Sequence, residues 1–415
     1  MIFKLRVILV LLMFFMGSGS AEMITPPNKP VPLSYFGIHN QRFHDPMMQP
    51  SIDFGTWRLW DAGVEWSLIQ PKKNEWQFDR LDFALKVAQS KRYELLLTFG
   101  RTPAWASAQP ATPSLYGLGE AAPPRDMADF ANFVRELASR YKGKIRLYEV
   151  WNEPASSGMF SGTVAQMVEM TKIVRKEVAS VDPDARIVCP SPAKHESLDW
   201  FKRFVTAGGA NYCDIIGYHF YTDSQLPEDK LKLIQEVFSV LKQHNLSMKP
   251  LWDTESGCCI GSDVSAANAP GHIARWLILE WISGVGRFYW YSWDHDMLGF
   301  QHPNGVKRDK AIFAYNRVQK WMLGSTFQSC ELSGLLWNCK LHLSDGRAAN
   351  IMWAQDNRER AIEIKTNTWV EDIYGYQGIP NSSRLTIKGD PVLMIDPHQS
   401  AANPLNMTRR PASQR

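Results

Sequence analysis

The sequence predicts an α/β protein: a (β/α)8 TIM barrel followed by a small C-terminal antiparallel β domain. Eight short apolar runs alternate with amphipathic helical stretches over roughly 290 residues, which is the length and order of such a barrel. The runs lack strict alternation, as expected for parallel strands that are covered on both faces. Beyond about residue 324, short runs separated by turn residues are typical of antiparallel strands.

The predicted barrel strands follow one another at the spacing of a strand–helix repeat. They are residues 35–40, 55–61, 93–99, 145–151, 186–190, 213–221, 250–255 and 286–293. A doubly wound open sheet is the alternative architecture, but no Gly-x-Gly-x-x-Gly pattern follows the first strand. We therefore favour the barrel.

Three of the predicted helices are marked by sequence patterns. Thr163 and Gln166 form a capping-box pattern at the start of a helix that runs to about Ser180. Two others carry an apolar stripe at helical spacing. The stripes are Phe130, Phe133, Leu137 and Tyr141, and Leu231, Ile234, Phe238 and Leu241.

The N-terminus has the three parts of a secretory signal peptide. Lys4 and Arg6 precede an apolar run, and small residues follow that run. The run of about ten residues is too short for a helix that spans a bilayer of about 30 Å. We expect a secreted or periplasmic protein with no membrane span after cleavage; an uncleaved anchor is the alternative. The expected segments are 1–21 (signal peptide), 22–323 (lead-in and catalytic barrel), 324–398 (β-sandwich-like accessory domain) and 399–415 (polar, disordered tail).

Six cysteines become disulfide candidates in an oxidising compartment. Cys330 and Cys339 bracket a short glycine-containing segment and are expected to join a hairpin. The other four are open to pairing or to burial as thiols: Cys189, Cys213 and the adjacent Cys258 and Cys259. A zinc site is not expected, because there is no Cys-x-x-Cys pair and no histidine spaced to complete one.

The composition favours a carbohydrate-directed protein over a nucleic-acid-directed one. Sixteen tryptophans are about three times the average usage, which suits a large core or a surface that stacks on the flat faces of sugars. A net charge of +4 without a long basic run is too weak for a nucleic-acid footprint.

Two glutamates lie at the carboxyl ends of predicted strands. Glu153 follows strand four in the run 149–154 (Glu-Val-Trp-Asn-Glu-Pro), and Glu255 ends strand seven within 252–257 (Trp-Asp-Thr-Glu-Ser-Gly). The catalytic face of a barrel lies at these strand ends, so the two carboxyl groups are expected to face each other across its mouth. This arrangement suits glycoside cleavage. A solvated or Arg-paired carboxylate is the alternative for each residue.

The run 148–154 (Tyr-Glu-Val-Trp-Asn-Glu-Pro), together with the strand-seven glutamate, resembles clan A of the glycoside hydrolases. It is most similar to family 39, which includes β-xylosidases and exopolysaccharide hydrolases, and the resemblance spans about residues 34–323. It implies a retaining β-glycosidase in which Glu153 is the acid/base and Glu255 the nucleophile. No cofactor is expected.

The resemblance also implies roles for two residues close to this pair. Arg58, in the second strand, matches the arginine near the nucleophile and is expected to hold Glu255 ionised. Asn152 is expected to hydrogen-bond the sugar 2-hydroxyl. A salt bridge at the barrel rim is the alternative for Arg58.

Five aromatic residues complete the predicted substrate site. By the same resemblance, Tyr221 is expected to hydrogen-bond the nucleophile, His219 to lie near the acid/base or the sugar, and Trp293 to form the platform under the sugar. Burial in the core is the alternative for His219 and Trp293. His39 and Trp105 are candidates for lining the pocket, because they lie at the ends of strands one and three.

Three functions compete at this point. The first is a secreted retaining β-glycosidase acting on an oligo- or polysaccharide, with a bacterial polysaccharide favoured. The second is a catalytically inactive carbohydrate-binding protein on the same barrel, and the third, a nucleic-acid enzyme, fits the charge poorly. Retention predicts carboxyl groups about 5–5.5 Å apart, against ~6.5–9.5 Å for inversion.

Overall fold

The computed structural model describes residues 22–222, 226–257 and 269–396. It contains an eight-stranded parallel sheet and a separate antiparallel sheet, and the predicted fold class is confirmed. The predicted signal peptide, the adjacent Cys258 and Cys259 and the polar tail lie outside the described residues. Within the described ranges, no helix is both long enough and apolar enough to cross a membrane.

The barrel strands each overlap one of the eight predicted runs. Strand β1 (Glu22–Ile24) precedes them and belongs to the second sheet. The barrel consists of β2 (Phe36–His39), β3 (Thr56–Leu59), β4 (Glu94–Thr98), β5 (Leu147–Glu149), β6 (Arg186–Val188), β7 (Ile216–Tyr218), β8 (Leu251–Ser256) and β9 (Val285–Trp290).

The helices α1–α7 lie between these strands and α8 follows β9, and the predicted patterns are found in or directly beside them. They are α1 (Trp66–Ile69), α2 (Asp79–Lys91), α3 (Met127–Arg140), α4 (Val164–Val181), α5 (Leu198–Thr206), α6 (Lys230–Gln243), α7 (Ala269–Ile282) and α8 (Asp309–Met322). The predicted capping box is confirmed at the start of α4. In α3 the residues of the predicted stripe are buried, whereas Phe238 in α6 is only partly buried.

The parallel sheet closes on itself. Its strand order is β6-β5-β4-β3-β2-β9-β8-β7, and the two end strands meet at a parallel bridge between Val188 and Ile215. A disulfide between Cys189 and Cys213 joins the same two segments. The fixed closure brings the carboxyl ends of all eight strands to one face of the barrel.

The interior of the barrel has an apolar layer below a polar one. The apolar cluster consists of Leu96, Leu147, Val188, Ile215, Trp252 and Tyr289. Alternate side chains of a strand point to the same side, so the residues two positions further along face inward again, closer to the carboxyl ends. Those residues include Thr98, Glu149 and Thr254, all buried. The apolar layer therefore fills the barrel interior beneath a layer of buried polar side chains.

The second sheet extends from the C-terminal part of the chain and includes one N-terminal strand. Its strand order is β1, β10 (Thr326–Ser333), β11 (Leu336–His342), β12 (Ala348–Ala354), β17 (Val392–Ile395), β14 (Trp369–Asp372) and β15 (Gln377–Gly378). A separate two-stranded ribbon joins β13 (Arg360–Glu363) to β16 (Arg384–Ile387). The predicted hairpin disulfide, Cys330–Cys339, is confirmed.

Two features of this sheet were not expected from the sequence. Strand β1, read as part of an irregular lead-in, pairs with β10 and covers what would otherwise be an open edge. The sheet also packs against the barrel: Trp353 donates to Glu228 over 2.7 Å, and Trp321 of α8 donates to Glu371 over 2.9 Å.

Candidate active site

Two carboxyl groups meet at the carboxyl-terminal face of the barrel. One oxygen of Glu153, one oxygen of Glu255 and one ring nitrogen of His219 all lie within 4.8 Å of one another. Both glutamate side chains are largely buried, with 14% and 10% of their surface exposed. These residue types can also bind a divalent cation. Acid–base and nucleophilic cleavage of a glycoside, however, needs only the two carboxyl groups.

Glu153 reaches the pocket through an unusual backbone conformation. Its φ of 46° lies in the left-handed region, which residues with a side chain rarely adopt. The backbone is held there by a hydrogen bond from the Glu153 N–H to the carbonyl of Ser191 (2.9 Å). As a result Asn152 and Glu153, although adjacent, both contribute to the site. Strain of this kind is characteristic of functional positions.

Glu255 is placed by an irregularity in β8. The pairing register between β8 and β9 shifts between Asp253 and Ser256. Thr254 contacts the inward-facing Glu149, and Glu255 contacts Arg58, whereas Asp253 bonds with Ser256 behind the strand. A bulge in a strand re-aims a side chain, and here it lets two consecutive residues enter the barrel interior.

Arg58 connects the two halves of the site. It is fully buried and donates through Nε to Glu149 (2.6 Å), through Nη1 to Glu255 (2.8 Å) and through Nη2 to the side-chain oxygen of Asn152 (2.8 Å). The predicted contact with Glu255 is thus present. Because the Asn152 oxygen is occupied by Arg58, its amide nitrogen faces Tyr116 and Met159 as a donor.

The expectation that Arg58 keeps Glu255 ionised needs correction. Burial raises the pKa of Glu255 to about 7, and the nearby Arg58 charge lowers it without offsetting that effect. The carboxylates of Glu153 and Asp61 raise the pKa of Glu255 as well. A sequence pattern can identify the arginine, but it cannot show how deeply its partner is buried.

His219 and Tyr221, at the end of β7, each contact one of the two glutamates. His219 Nδ1 lies 3.0 Å from Glu153 Oε1, and the Tyr221 hydroxyl donates to Glu255 Oε1 over 3.0 Å. Burial, together with the nearby carboxylates, raises the pKa of Tyr221, so its hydroxyl remains protonated as a donor. Both contacts agree with the positions expected for these residues.

Two predicted substrate contacts are wrong. Trp293 is fully buried and packs against Phe300, so its ring cannot form the floor under a sugar. His39 is also fully buried, and its Nε2 bonds to the Thr254 carbonyl (3.0 Å) rather than lining the pocket. Trp105 is partly buried, donates to the Gln70 carbonyl (2.9 Å) and packs on Trp66, and its contact with a substrate stays a prediction.

Three partly exposed residues belong to the site but were missed in the sequence. The hydroxyl of Tyr291 lies 3.3 Å from Asp61 and 2.6 Å from the Gln41 amide nitrogen, and Tyr116 lies 3.4 Å from the Asn152 amide nitrogen. Asp61 is the last residue of the second predicted strand, and Tyr291 lies two positions before Trp293. The position of Asp61 at the end of a predicted strand is a sequence signal for a site residue. Whether Tyr291 or Trp293 faces the site depends on the backbone conformation beyond β9, which the sequence does not show.

The chain is similar to known glycoside hydrolases. Residues 132–318, which include both glutamates, match the family model described as a glycosyl hydrolase catalytic core. This match confirms the predicted enzyme class, a glycoside hydrolase. No curated protein matches the sequence significantly.

Solved structures show the same fold at low sequence identity. A family 39 glycoside hydrolase from Bacteroides cellulosilyticus has a TM-score of 0.72 and 16% identity, with coverage of 88% of this chain and 81% of that chain. A family 39 β-xylosidase from Caulobacter crescentus has a TM-score of 0.64 and 14% identity, covering 90% and 97%. A family 30 endoxylanase from Clostridium papyrosolvens has a TM-score of 0.58 and 12% identity, covering 90% and 99%. The predicted resemblance to these families is confirmed.

Proposed function

We propose that the protein is a retaining β-glycoside hydrolase that cleaves an oligo- or polysaccharide, with Glu153 as the acid/base and Glu255 as the nucleophile. The observation that carries this proposal is the separation of the two carboxyl groups, which have oxygens within 4.8 Å of each other. Retaining enzymes keep their carboxyl groups about 5–5.5 Å apart and inverting enzymes ~6.5–9.5 Å apart, so this short distance between oxygens supports retention.

The partners of the two glutamates support different roles. Glu255 accepts hydrogen bonds from Arg58 and Tyr221, and these two donors orient an ionised carboxylate for attack. Glu153 contacts only His219 among its side-chain partners within the described residues, so its other oxygen can reach a leaving group. Two carboxyl groups in different environments can take different roles in one reaction.

The proposed reaction has two steps. In the first, a Glu255 oxygen forms a bond to the anomeric carbon while the bond to the leaving oxygen breaks, and Glu153 gives its proton to that oxygen. In the second, ionised Glu153 takes a proton from water, the resulting hydroxide bonds to the anomeric carbon, and Glu255 leaves as a carboxylate. Because Arg58 occupies the side-chain oxygen of Asn152, we expect the Asn152 amide nitrogen to donate to the sugar 2-hydroxyl in both transition states.

The substrate and the stereochemistry can be tested together. Purified protein would be screened on aryl β-xylosides, glucosides, galactosides and mannosides and on bacterial and plant polysaccharides, with sizing of the products. Proton NMR would then follow the anomeric signal of the first product formed. We expect the β-anomer first; initial appearance of the α-anomer would rule out retention. Binding of sugars without any hydrolysis would instead support the inactive carbohydrate-binding alternative.

Activity is expected to fall as the pH decreases through about 7, because Glu255 must be ionised to attack and its pKa is raised to that value. Asp61→Asn removes a negative charge that raises this pKa, so the acid limb of the kcat/KM profile should move to lower pH. Asp199→Asn, which changes an exposed carboxylate on α5, serves as the matched control and should leave the limb in place. An unchanged acid limb in Asp61→Asn would contradict the assignment of that limb to Glu255.

We also propose that the protein acts outside the cytoplasm. The support is the N-terminal sequence and the two disulfides, Cys189–Cys213 and Cys330–Cys339, which persist in oxidising compartments. The test is the N-terminal sequence of the protein recovered from periplasmic and culture fractions. A mature terminus near residue 22 is expected, whereas cytoplasmic recovery of the whole chain would contradict the proposal.

A further inference from the structure

We infer that Asp61 binds a hydroxyl group of the sugar that becomes bonded to Glu255, and that the pocket excludes acidic sugars from this position. Asp61 is then a residue that determines specificity. The inference rests on the proposed function and deepens it, because it names the class of sugar that is cleaved. Three features of the pocket support it: the side on which Asp61 lies, the free oxygen of its carboxyl group, and the bonding of the surrounding arginines.

Asp61 lies on the side of the barrel mouth opposite the contact between Glu153 and His219. His219 directly follows β7, and Asp61 follows β3. In the closed strand order, β3 is four strands from β7 in either direction. The leaving group must meet Glu153, so the sugar that stays bonded to Glu255 extends toward the arc of β3, β2 and β9. The hydroxyl groups of that sugar therefore come within reach of Asp61.

The carboxyl group of Asp61 has a free oxygen. Its Oδ2 accepts from the Tyr291 hydroxyl over 3.3 Å, and its Oδ1 has no hydrogen-bond partner among the residues that the structure describes. Burial raises the pKa of Asp61, and the charges of Arg101 and Arg58 oppose that rise. In both protonation states the group can accept a hydrogen bond and carries no positive charge. A sugar hydroxyl is a donor that fits it.

The polar groups beside Asp61 are neutral. The Tyr291 hydroxyl accepts from the Gln41 amide nitrogen over 2.6 Å, and the Tyr116 hydroxyl lies 3.4 Å from the Asn152 amide nitrogen. Burial raises the pKa of both tyrosines, so both hydroxyls stay protonated. This wall of hydroxyl and amide groups suits the hydroxyl groups of an uncharged sugar.

The arginines around the pocket are already bonded to the protein. Arg58 is fully buried, and its three donating nitrogens have the side-chain acceptors given above. Arg101 donates to the Glu120 carboxylate over 2.6 Å, and Arg80 donates to two backbone carbonyls. A substrate carboxylate would have to compete with these acceptors for a cation.

The carboxylate of a uronic acid would therefore be unfavourable here. It would add a negative charge close to Asp61 and Glu255, in a largely buried pocket where an unpaired charge is costly. The segments 223–225 and 258–268, which lie outside the described residues, contain no lysine, arginine or histidine. Exclusion of acidic sugars follows from this distribution of charge, whereas an uncharged sugar avoids the repulsion.

The exclusion is tested with one pair of substrates. The aryl β-glycoside that the wild-type protein cleaves fastest would be compared with the aryl uronide of the same ring configuration. Each kcat/KM is measured at the pH where it is maximal. We expect the uronide to react at least roughly 100-fold more slowly, because like charges placed close together repel strongly. A uronide cleaved as fast as its neutral counterpart would overturn the exclusion.

The contact of Asp61 with a hydroxyl group is tested by a double-mutant cycle. Wild-type protein and Asp61→Ala would be assayed on monodeoxy analogues of the same glycoside, each lacking one hydroxyl group beyond the 2-hydroxyl. For one position, removal should lower wild-type kcat/KM roughly 10–100-fold, the range for a hydrogen bond to a charged group. The same removal should change kcat/KM of Asp61→Ala no more than about twofold. Equal losses in both proteins at every position would overturn the contact.

Two further variants complete the test. Asp199→Ala makes the same change at an exposed residue of α5 and should show the wild-type loss with every analogue. Asp61→Asn keeps the size of the side chain and removes its charge, so the preference for the neutral substrate over the uronide should fall roughly tenfold or more. This variant also keeps the inference testable if Asp61→Ala does not fold. An unchanged preference in Asp61→Asn would contradict the role of the Asp61 charge.

The outcomes separate this inference from the proposed function. Absence of hydrolysis by the wild-type protein would contradict the proposed function, and the specificity role of Asp61 would fall with it. Hydrolysis with equal losses at every hydroxyl group would leave the two-glutamate mechanism in place and overturn the role of Asp61 alone.

Discussion

Glu255→Gln is expected to abolish hydrolysis, with a loss in kcat on the order of 10⁴-fold or more, the scale seen when a catalytic nucleophile is removed. Arg58 and Tyr221 donate to different oxygens of Glu255. The glutamine can keep its oxygen toward Arg58 and turn its amide nitrogen, as a donor, toward the Tyr221 hydroxyl oxygen, so the pocket retains its shape. It lacks the negative charge that attacks the anomeric carbon. The measurement is kcat on the aryl β-glycoside that the wild-type protein cleaves fastest.

The control for this variant is Glu169→Gln. It makes the same chemical change at a half-exposed residue of α4 and should retain wild-type activity. A melting temperature close to wild type in both variants would show that both remain folded. If Glu255→Gln retained more than a few per cent of the activity, Glu255 would not be the nucleophile.

Glu153→Ala is expected to lower activity by roughly 10²–10⁴-fold on substrates with poor leaving groups, the range for general acid–base catalysis. The loss should be smaller for a dinitrophenyl leaving group, which departs without a proton. Added azide needs no base and should restore turnover by attacking the glycosyl-enzyme. Because it enters from the face opposite Glu255, the product should be the β-glycosyl azide.

Glu255→Ala provides the matched comparison for this experiment. There azide would occupy the space of the missing nucleophile and attack the substrate itself, so the α-glycosyl azide is expected. Each variant thus reports the face on which its missing carboxyl group acted. The opposite assignment of products would show that the roles of the two glutamates are reversed.

The sequence predicted the parts of the site that depend on regular structure. Short apolar runs located all eight barrel strands, and closure of the barrel then brings Glu153 and Glu255 to one face. The contact between Arg58 and Glu255 was implied by the resemblance to clan A and not by strand alternation, because a register shift in β8 turns Glu255 inward beside Thr254.

The misassignments lie where regular structure ends. Beyond β9 the backbone no longer alternates, so the sequence could not show that Trp293 turns into the core while Tyr291 faces Asp61. The raised pKa of Glu255 depends on burial by the whole surrounding pocket, which no motif records. The pairing of β1 with β10 joins segments about three hundred residues apart, and short-range patterns contain no information on such contacts.

The predicted substrate contacts also relied on the assumption that aromatic residues near strand ends face the substrate. Tryptophans such as Trp57, Trp151, Trp276 and Trp290 are fully buried in packing contacts, so the tryptophan surplus mainly reflects the core. The polar layer around Glu149 was not predicted, because its members come from several strands and each is unremarkable in sequence.

The most direct test of the two-glutamate mechanism is to trap its covalent intermediate. The protein would be incubated with the 2-deoxy-2-fluoro dinitrophenyl analogue of its fastest substrate, which forms the glycosyl-enzyme faster than it releases it. Mass spectrometry of the intact chain and of its peptides would then locate the added sugar. We predict one fluorosugar per chain, attached to Glu255; a label on any other residue, or none from an analogue that is turned over, would contradict the mechanism.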